Sequence, residues 1–236
     1  MAKVLRLHQW TVSLREAIQI QNSLRGRLTF SPRPLRIRTV AGVDVSYTRG
    51  SSTLYAAVVV MRLHDLTIVE TASITARATF PYVPGLLSFR EAPAILAAYA
   101  RLRRAPDCVL CDGQGLAHPR RFGLACHLGL LTARPAVGCA KSRLVGVYRE
   151  PDVVRGSATS LVADGEVIGL VLRTKTRVAP VFLSAGYRIG LAQARHLLLA
   201  LDGGCRLPEP IRQAHLLVNA LRCAGGRRWA GAALDG

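Results

Sequence analysis

The chain predicts an α/β domain built on a central mixed sheet of five to eight strands flanked by helices, and three observations carry that prediction. Strand-length runs rich in Val, Ile, Tyr and Ala alternate with longer segments whose apolar residues recur at helical spacing. Three of the strand-like runs follow one another across connections too short for a crossover, which makes them an antiparallel meander. Farther on, a short apolar run ends in Asp112-Gly113-Gln114-Gly115 and leads into a helical segment, the order strand, glycine loop, helix. With 236 residues the chain can close a single core.

In chain order, residues 1–30 carry Leu7, Trp10, Leu14, Ala17, Ile18 and Leu24 at helical spacing, so one or two amphipathic helices are expected there, ended by Ser31-Pro32-Arg33-Pro34. Strands are expected at 39–47, 54–63 and 67–76. After the turn Pro81-Tyr82-Val83-Pro84-Gly85, residues 87–103 read as a helix in which Ser88 is the N-cap and Glu91, three residues on, completes a capping box. A strand at 108–112 and a helix at 121–131 follow. Further strands are expected at 135–139, 166–173 and 180–185, and helices at 191–201 and 209–221. Residues 225–236 hold glycines and a basic pair without periodicity, which predicts a flexible basic tail behind a single catalytic domain of residues 1–224.

Composition narrows the class. Half the residues are hydrophobic and 19% are charged, with 32 Lys+Arg against 14 Asp+Glu for a net charge of +18, which excludes a disordered or collagen-like chain. No apolar run approaches the ~18 residues of a membrane span, and charges interrupt the N-terminus, so neither membrane insertion nor export is expected and the reading is cytoplasmic. Of the six cysteines, Cys108 and Cys111 form the one C-x-x-C, but on a strand they face opposite sides, which fits reduced core thiols better than a zinc site. The arginine excess could follow from a GC-rich genome; physically it makes a field that attracts polyanions, with nucleic acid as the usual partner.

Three of the few carboxylates occupy unusual places. Asp44 lies inside an apolar strand between Val43 and Val45, where an ionised acid needs a cation, a hydrogen-bond network or a solvated sheet face. Asp112 before a glycine is also an ordinary turn residue, and Glu91 alone would be a cap. If the first strand of the meander is central and the fourth lies parallel beside it, Asp44 and Asp112 converge and the Glu91 helix can cross the same edge. Such hard oxygen ligands suit Mg²⁺ or Mn²⁺ and phosphodiester hydrolysis.

The successive segments Ala41-Gly42-Val43-Asp44-Val45-Ser46-Tyr47, Pro81 through Glu91, Asp112-Gly113-Gln114-Gly115 with His118-Pro119-Arg120-Arg121, and Gly138-Cys139-Ala140-Lys141-Ser142 resemble the ordered motifs of endonuclease V. The resemblance implies a ribonuclease H-like fold and metal-dependent cleavage of nucleic acid containing hypoxanthine, at the second phosphodiester 3′ to the lesion, leaving 3′-hydroxyl and 5′-phosphate ends. By the same resemblance Asp44, Glu91 and Asp112 are the metal-binding catalytic acids. His215 fills a fourth position that is His or Asp in the family and completes the metal shell as a nitrogen ligand or serves as a proton shuttle, and Lys141 is the active-site lysine. Pro81, Tyr82, Val83 and Pro84 form a strand-separating wedge with Tyr82 at its tip; Leu87, Gly113, Gln114, Gly115, His118, Gly123, Leu124, Gly138 and Ser142 border the base pocket. Without the resemblance, His215 would be an ordinary helical histidine and Tyr82 a packed loop aromatic. Cys139 departs from the small apolar residue often found there, and Glu150 and Asp152 are minor acid candidates. The implied cofactor is Mg²⁺, with Mn²⁺ substituting. The implied partner of a monomeric enzyme is DNA containing deaminated adenine. Inosine-containing RNA, a ribonuclease H-like nuclease without inosine specificity and a non-catalytic nucleic acid binder stand as alternatives.

Overall fold

The computed structural model describes residues 1–31 and 33–231, with side chains as far as Ala224 in the final helix. Helix α1 (Leu14–Arg25) begins at a capping box in which the Ser13 hydroxyl accepts the Glu16 N–H and the Glu16 carboxylate accepts the Ser13 N–H. Strands β1 (Thr39–Ser46), β2 (Thr53–Arg62) and β3 (Ile68–Arg77) form the expected antiparallel meander. Helix α2 (Leu87–Tyr99) then crosses to β4 (Cys108–Cys111), and α3 (Leu124–Thr132) leads to β5 (Ala136–Ala140). Both β4 and β5 are parallel additions to the sheet, β4 beside β1 and β5 beside β4. The chain continues through β6 (Ala158–Ala163), β7 (Glu166–Leu172), β8 (Val181–Tyr187), α4 (Leu191–Ala200) and α5 (Glu209–Gly231). All eight strands make one mixed sheet in the order β3-β2-β1-β4-β5-β8-β7-β6.

Alternation along the central strands sorts the core into two layers. Ala41, Val43 and Cys111 face a cluster with Ala92, Ile95 and Leu128 of α2 and α3, whereas Val40, Cys108 and Leu110 face one with Leu197, Leu198 and Ile211 of α4 and α5. The two cysteines of the C-x-x-C therefore lie on opposite faces, both reduced and buried. Gly42 decides how closely α5 can pack. A Cβ there would collide with the Pro210 carbonyl, so only glycine lets the first turn of α5 rest on β1.

Four expectations change. Residues 1–13 are not helical; Ala2 and Leu5 donate their backbone N–H to Leu102 and Leu131, and Val4, Leu7 and Trp10 pack against the core from an irregular segment. Ser88 does not cap α2: the N-cap is Leu86 without a side-chain bond, and the Ser88 hydroxyl turns inward to His127 Nδ1 at 3.1 Å. Strand β6 has no counterpart among the expected elements, since as an edge strand it shows little apolar alternation; Asp164-Gly165, both at positive φ, makes the tight turn joining it to β7. Helix α5 runs on to Gly231, across part of the stretch expected as a tail, and residues 232–236 lie outside the described residues. Among the described residues, no helix is long and apolar enough to cross a membrane.

Candidate active site

The parallel pairing of β1 with β4 ends at Val43 opposite Cys111. The next residues on the two strands are Asp44 and Asp112, so register alone delivers both carboxylates side by side at one sheet edge. Glu91 comes from the second turn of α2. All three line a cavity of about 390 Å³, together with Lys141 from the end of β5.

Electrostatically this wall is strained. Burial, and then the charges of Asp44 and Asp112, push Glu91 from 4.5 up to about 8. Burial followed by the charge of Asp112 also raises Asp44, against the pull of its bond to His215. Arg90, the cation that pulls Glu91 the other way, is tied to the carbonyls of Phe80 and Ser51. Lys141 Nζ pairs with Asp112 Oδ2 at 2.5 Å. Among the described residues no three His, Cys, Asp or Glu side chains are closed to metal-ligating spacing. The chemistry of the donor set nonetheless fits a hard divalent cation, because three carboxylates converge, Glu91 and Asp44 are raised by their neighbours' charges, and of the three Lys141 contacts only Asp112.

The opposite wall is sterically dense and closed by hydrogen bonds. The Gly85 carbonyl accepts three hydrogen bonds, from Gln21 Nε2 at 3.1 Å, His118 Nε2 at 2.9 Å and Arg120 Nη2 at 2.6 Å. His118 Nδ1 in turn accepts the Arg120 N–H, and burial, with the charges of Arg120 and Arg121, drops His118 to about 4, so it stays neutral and donates from Nε2. This knot fastens the Pro81-to-Pro84 loop, from which Tyr82 projects with 61% of its surface exposed while Val83 packs on Phe80, Leu86 and Phe89.

Of the residues expected at the base pocket, Leu87, Gly113, Gln114, His118, Gly123, Leu124 and Ser142 line the cavity, as do Tyr82, Val83 and Pro84 of the loop. Gly115, Gly138 and Pro81 do not. Gly115 and Gly138 stand behind the wall: a Cβ on Gly138 would meet Gly115 N at 2.5 Å, and one on Gly115 would collide with the Ala185 carbonyl. Their role is backbone-on-backbone packing that brings β5, β8 and the glycine loop together. Gln114 donates Nε2 to the Ser142 carbonyl at 3.0 Å, while its buried Oε1 has no partner among the described residues.

A family model described as Endonuclease V matches residues 19–216. The chain belongs to the endonuclease V family. Endonuclease V of Methanothrix thermoacetophila is 49% identical over 89% of this chain and 93% of its own. The crystal structure of endonuclease V from Streptomyces avermitilis superposes with a TM-score of 0.86 at 41% identity, over 95% of this chain and 99% of that one. That of Ciona intestinalis endonuclease V, in complex with a 23mer DNA containing an inosine followed by a ribo-adenosine, superposes with a TM-score of 0.80 at 25% identity, over 89% and 97% of the two chains. The protein is thus a ribonuclease H-like endonuclease, and the eight-stranded sheet is the mixed sheet the motifs implied.

Within this endonuclease V fold His215 stands apart from Asp44, Glu91, Asp112 and Lys141. It does not line the cavity, but reaches Asp44 from α5, Nδ1 to Oδ2 at 2.8 Å. Glu150 is drawn away to Arg173 at 2.9 Å, and Arg173 also takes the backbone carbonyl of Asp152. Gln21, Arg120 and Arg143 are site residues that sequence reasoning missed. A signal existed for Gln21, the one polar residue on the buried Ala17-Gln21-Leu24 stripe of α1. Arg143, stacked over Tyr148 and lining the cavity, carried none.

Proposed function

We propose that this protein is a DNA repair endonuclease that takes an extruded hypoxanthine into the cavity and hydrolyses the second phosphodiester 3′ to it, leaving 3′-hydroxyl and 5′-phosphate ends. The observation that carries the reading is the pairing, in one cavity, of a rigid loop-and-glycine wall with a wall of three mutually repelling carboxylates. The first suits a flat base and the second a phosphate held through Mg²⁺, with Mn²⁺ as substitute. The inosine-containing DNA bound by the Ciona relative supports the choice of substrate.

Asp44, Glu91 and Asp112 would hold the metal, which when bound supplies Lewis-acid stabilisation of the charge that develops at the scissile phosphate. The chain's own residues do the rest. Lys141, now paired with Asp112, is the mobile cation nearest that carboxylate and steadies a phosphate oxygen when substrate enters. Tyr82, projecting from its anchored loop, fills the gap left in the stack by the extruded base. Backbone groups around Gly113, Gly123 and Leu87 read the base: hypoxanthine presents an acceptor oxygen where adenine has a donor amine, so one inward N–H discriminates by about 1 to 3 kcal/mol. His118, neutral at the loop wall, suits a neutral base.

End-labelled duplexes with one inosine, matched adenine and RNA controls, in Mg²⁺ and in EDTA, test the proposal on a denaturing gel. A Mg²⁺-dependent nick one nucleotide beyond the 3′ neighbour of inosine is expected. Cleavage confined to the RNA control would move the substrate to inosine-containing RNA, and binding without cleavage in Mg²⁺ would reduce the protein to a binder.

A further inference from the structure

Strand β1 and helix α5 meet along one line of polar side chains. Asp44 and Ser46, two apart, share a face of the strand; His215, Asn219 and Arg222 fall at i, i+4 and i+7 on one face of the helix. Gly42, on the same strand face, lets the helix come close enough for these side chains to touch. The contacts form an unbroken chain: Arg222 Nε to Ser46 Oγ at 3.0 Å, Ser46 Oγ to Asn219 Oδ1 at 3.0 Å, Asn219 Nδ2 to His215 Nε2 at 3.0 Å, and His215 Nδ1 to Asp44 Oδ2 at 2.8 Å.

The direction of every link follows from its first member. A guanidinium only donates, so Ser46 accepts from Arg222 and passes its own proton to Asn219 Oδ1, which also faces Arg222 Nη2 at 3.4 Å. With its oxygen committed on that side, Asn219 can present only its NH₂ to the imidazole. Nε2 must then accept, the ring proton sits on Nδ1, and Nδ1 donates to Asp44. An Nε2–H would point at an amide N–H. Both ring nitrogens are engaged by the protein, and neither offers a free lone pair to a cation.

We propose that Arg222, Ser46 and Asn219 are positioning residues that lock His215 in the Nδ1–H tautomer, and that His215 serves as a fixed hydrogen-bond donor orienting Asp44 rather than as a metal ligand. Asp44 Oδ1 also accepts the Val45 N–H at 2.9 Å, so both oxygens are anchored and the carboxylate meets the cavity in one orientation. The proposal rests on the reading of Asp44 as a metal-holding acid, but the tautomer can be observed without metal or substrate.

The experiment is ¹⁵N–¹H correlation of the histidine rings in the metal-free protein, repeated with Mg²⁺. His215 should show a protonated Nδ1 and a bare Nε2, and Mg²⁺ should leave the Nε2 shift in place. Asn219→Asp puts an acceptor opposite Nε2 and should protonate that nitrogen, with kcat on inosine DNA falling about 10- to 100-fold at unchanged KM, the usual scale for an outer partner of a ligand. Ser46→Ala should lose the single tautomer and Ser46→Thr, which keeps the hydroxyl, should restore it. A wild-type Nε2–H, a metal-induced shift of either ring nitrogen into the ligand range, or an Asn219→Asp protein with the wild-type tautomer would each overturn the proposal. Failure of the endonuclease reading would show itself differently, as wild-type protein that does not cut inosine DNA, with the ring spectra unaffected.

Discussion

The two walls of the cavity are opposites in how they are completed. The loop wall is finished by the protein itself: the Gly85 carbonyl is held by three donors, and the glycines behind it pack backbone against backbone. The acid wall is left open, with Glu91 held near 8 by burial and its neighbours' charges and with Lys141 the cation in contact with Asp112. A base is recognised by shape and fixed dipoles, which must be in place beforehand. A phosphate and its cation bring charge with them, and the protein leaves room for that charge. On the proposed function, electrostatic strain marks the chemical half of the site and steric density the recognition half.

The largest break should come from the acid wall. Asp44→Ala and Asp112→Ala are expected to abolish cleavage and retain inosine-DNA affinity by fluorescence anisotropy; wild-type nicking by Asp112→Ala would remove the acids from the mechanism. Next in size is a break of the dense wall. Gly138→Ala drives a Cβ into backbone that cannot yield and should cost about 3 kcal/mol, the upper end of the usual overpacking range. Gly113→Ala, meeting Leu124 Cδ2 at an ordinary 3.4 Å, should leave stability within about 0.5 kcal/mol of wild type by chemical denaturation. Equal midpoints would show that both glycines are free of packing constraint.

The walls should also answer pH in opposite senses. Folded Glu91 binds its proton more tightly than the unfolded chain does, so its stability contribution is full below 4.5 and is lost as pH climbs toward about 8. Folded His118 binds a proton more weakly; its contribution is full above 6.5 and is lost as pH falls toward about 4, on the order of 3 kcal/mol at most. Denaturation curves between about pH 4 and 9 should therefore fall at both ends in EDTA. Mg²⁺ should lift only the alkaline side, and an alkaline limb indifferent to Mg²⁺ would argue against a cation at the acids. The smallest change is reserved for the exposed tip. Tyr82→Ala should leave thermal stability unaltered yet reduce inosine-over-adenine preference by about 1 to 3 kcal/mol, the value of one stacking contact; an unchanged preference would strip Tyr82 of the wedge role.

Legibility in the sequence follows the same division. The meander, the parallel β4 and the meeting of Asp44, Glu91 and Asp112 can be read because strand period and connection length dictate them. Edge strand β6 cannot be read by alternation, since half-exposed Ala, Thr and Ser show none, although its Asp164-Gly165 turn is a usable sign. Ser88 reads wrongly as a cap because the capping pattern is local, while the hydroxyl's actual partner, His127, is distant in sequence. The sequence likewise leaves open what Gly115 and Gly138 approach: a glycine advertises a close approach but not to what, and the structure packs both against backbone behind the cavity lining. Helical spacing marks Gln21 on its buried stripe and puts His215, Asn219 and Arg222 on one face, but their partners Arg120 and Ser46 lie 99 and 173 residues away from Gln21 and Asn219, which no spacing reveals.

The seat of α5 on Gly42 also bears on how the enzyme is made. β1 leaves the ribosome early, carrying Asp44, but the histidine that bonds to it comes from a helix synthesised about 170 residues later, by the difference between positions 215 and 44. On the proposed roles of Asp44 and His215, a nascent chain would hold its acid unaligned until α5 had emerged and docked, and nuclease activity would wait until nearly the whole domain had been translated.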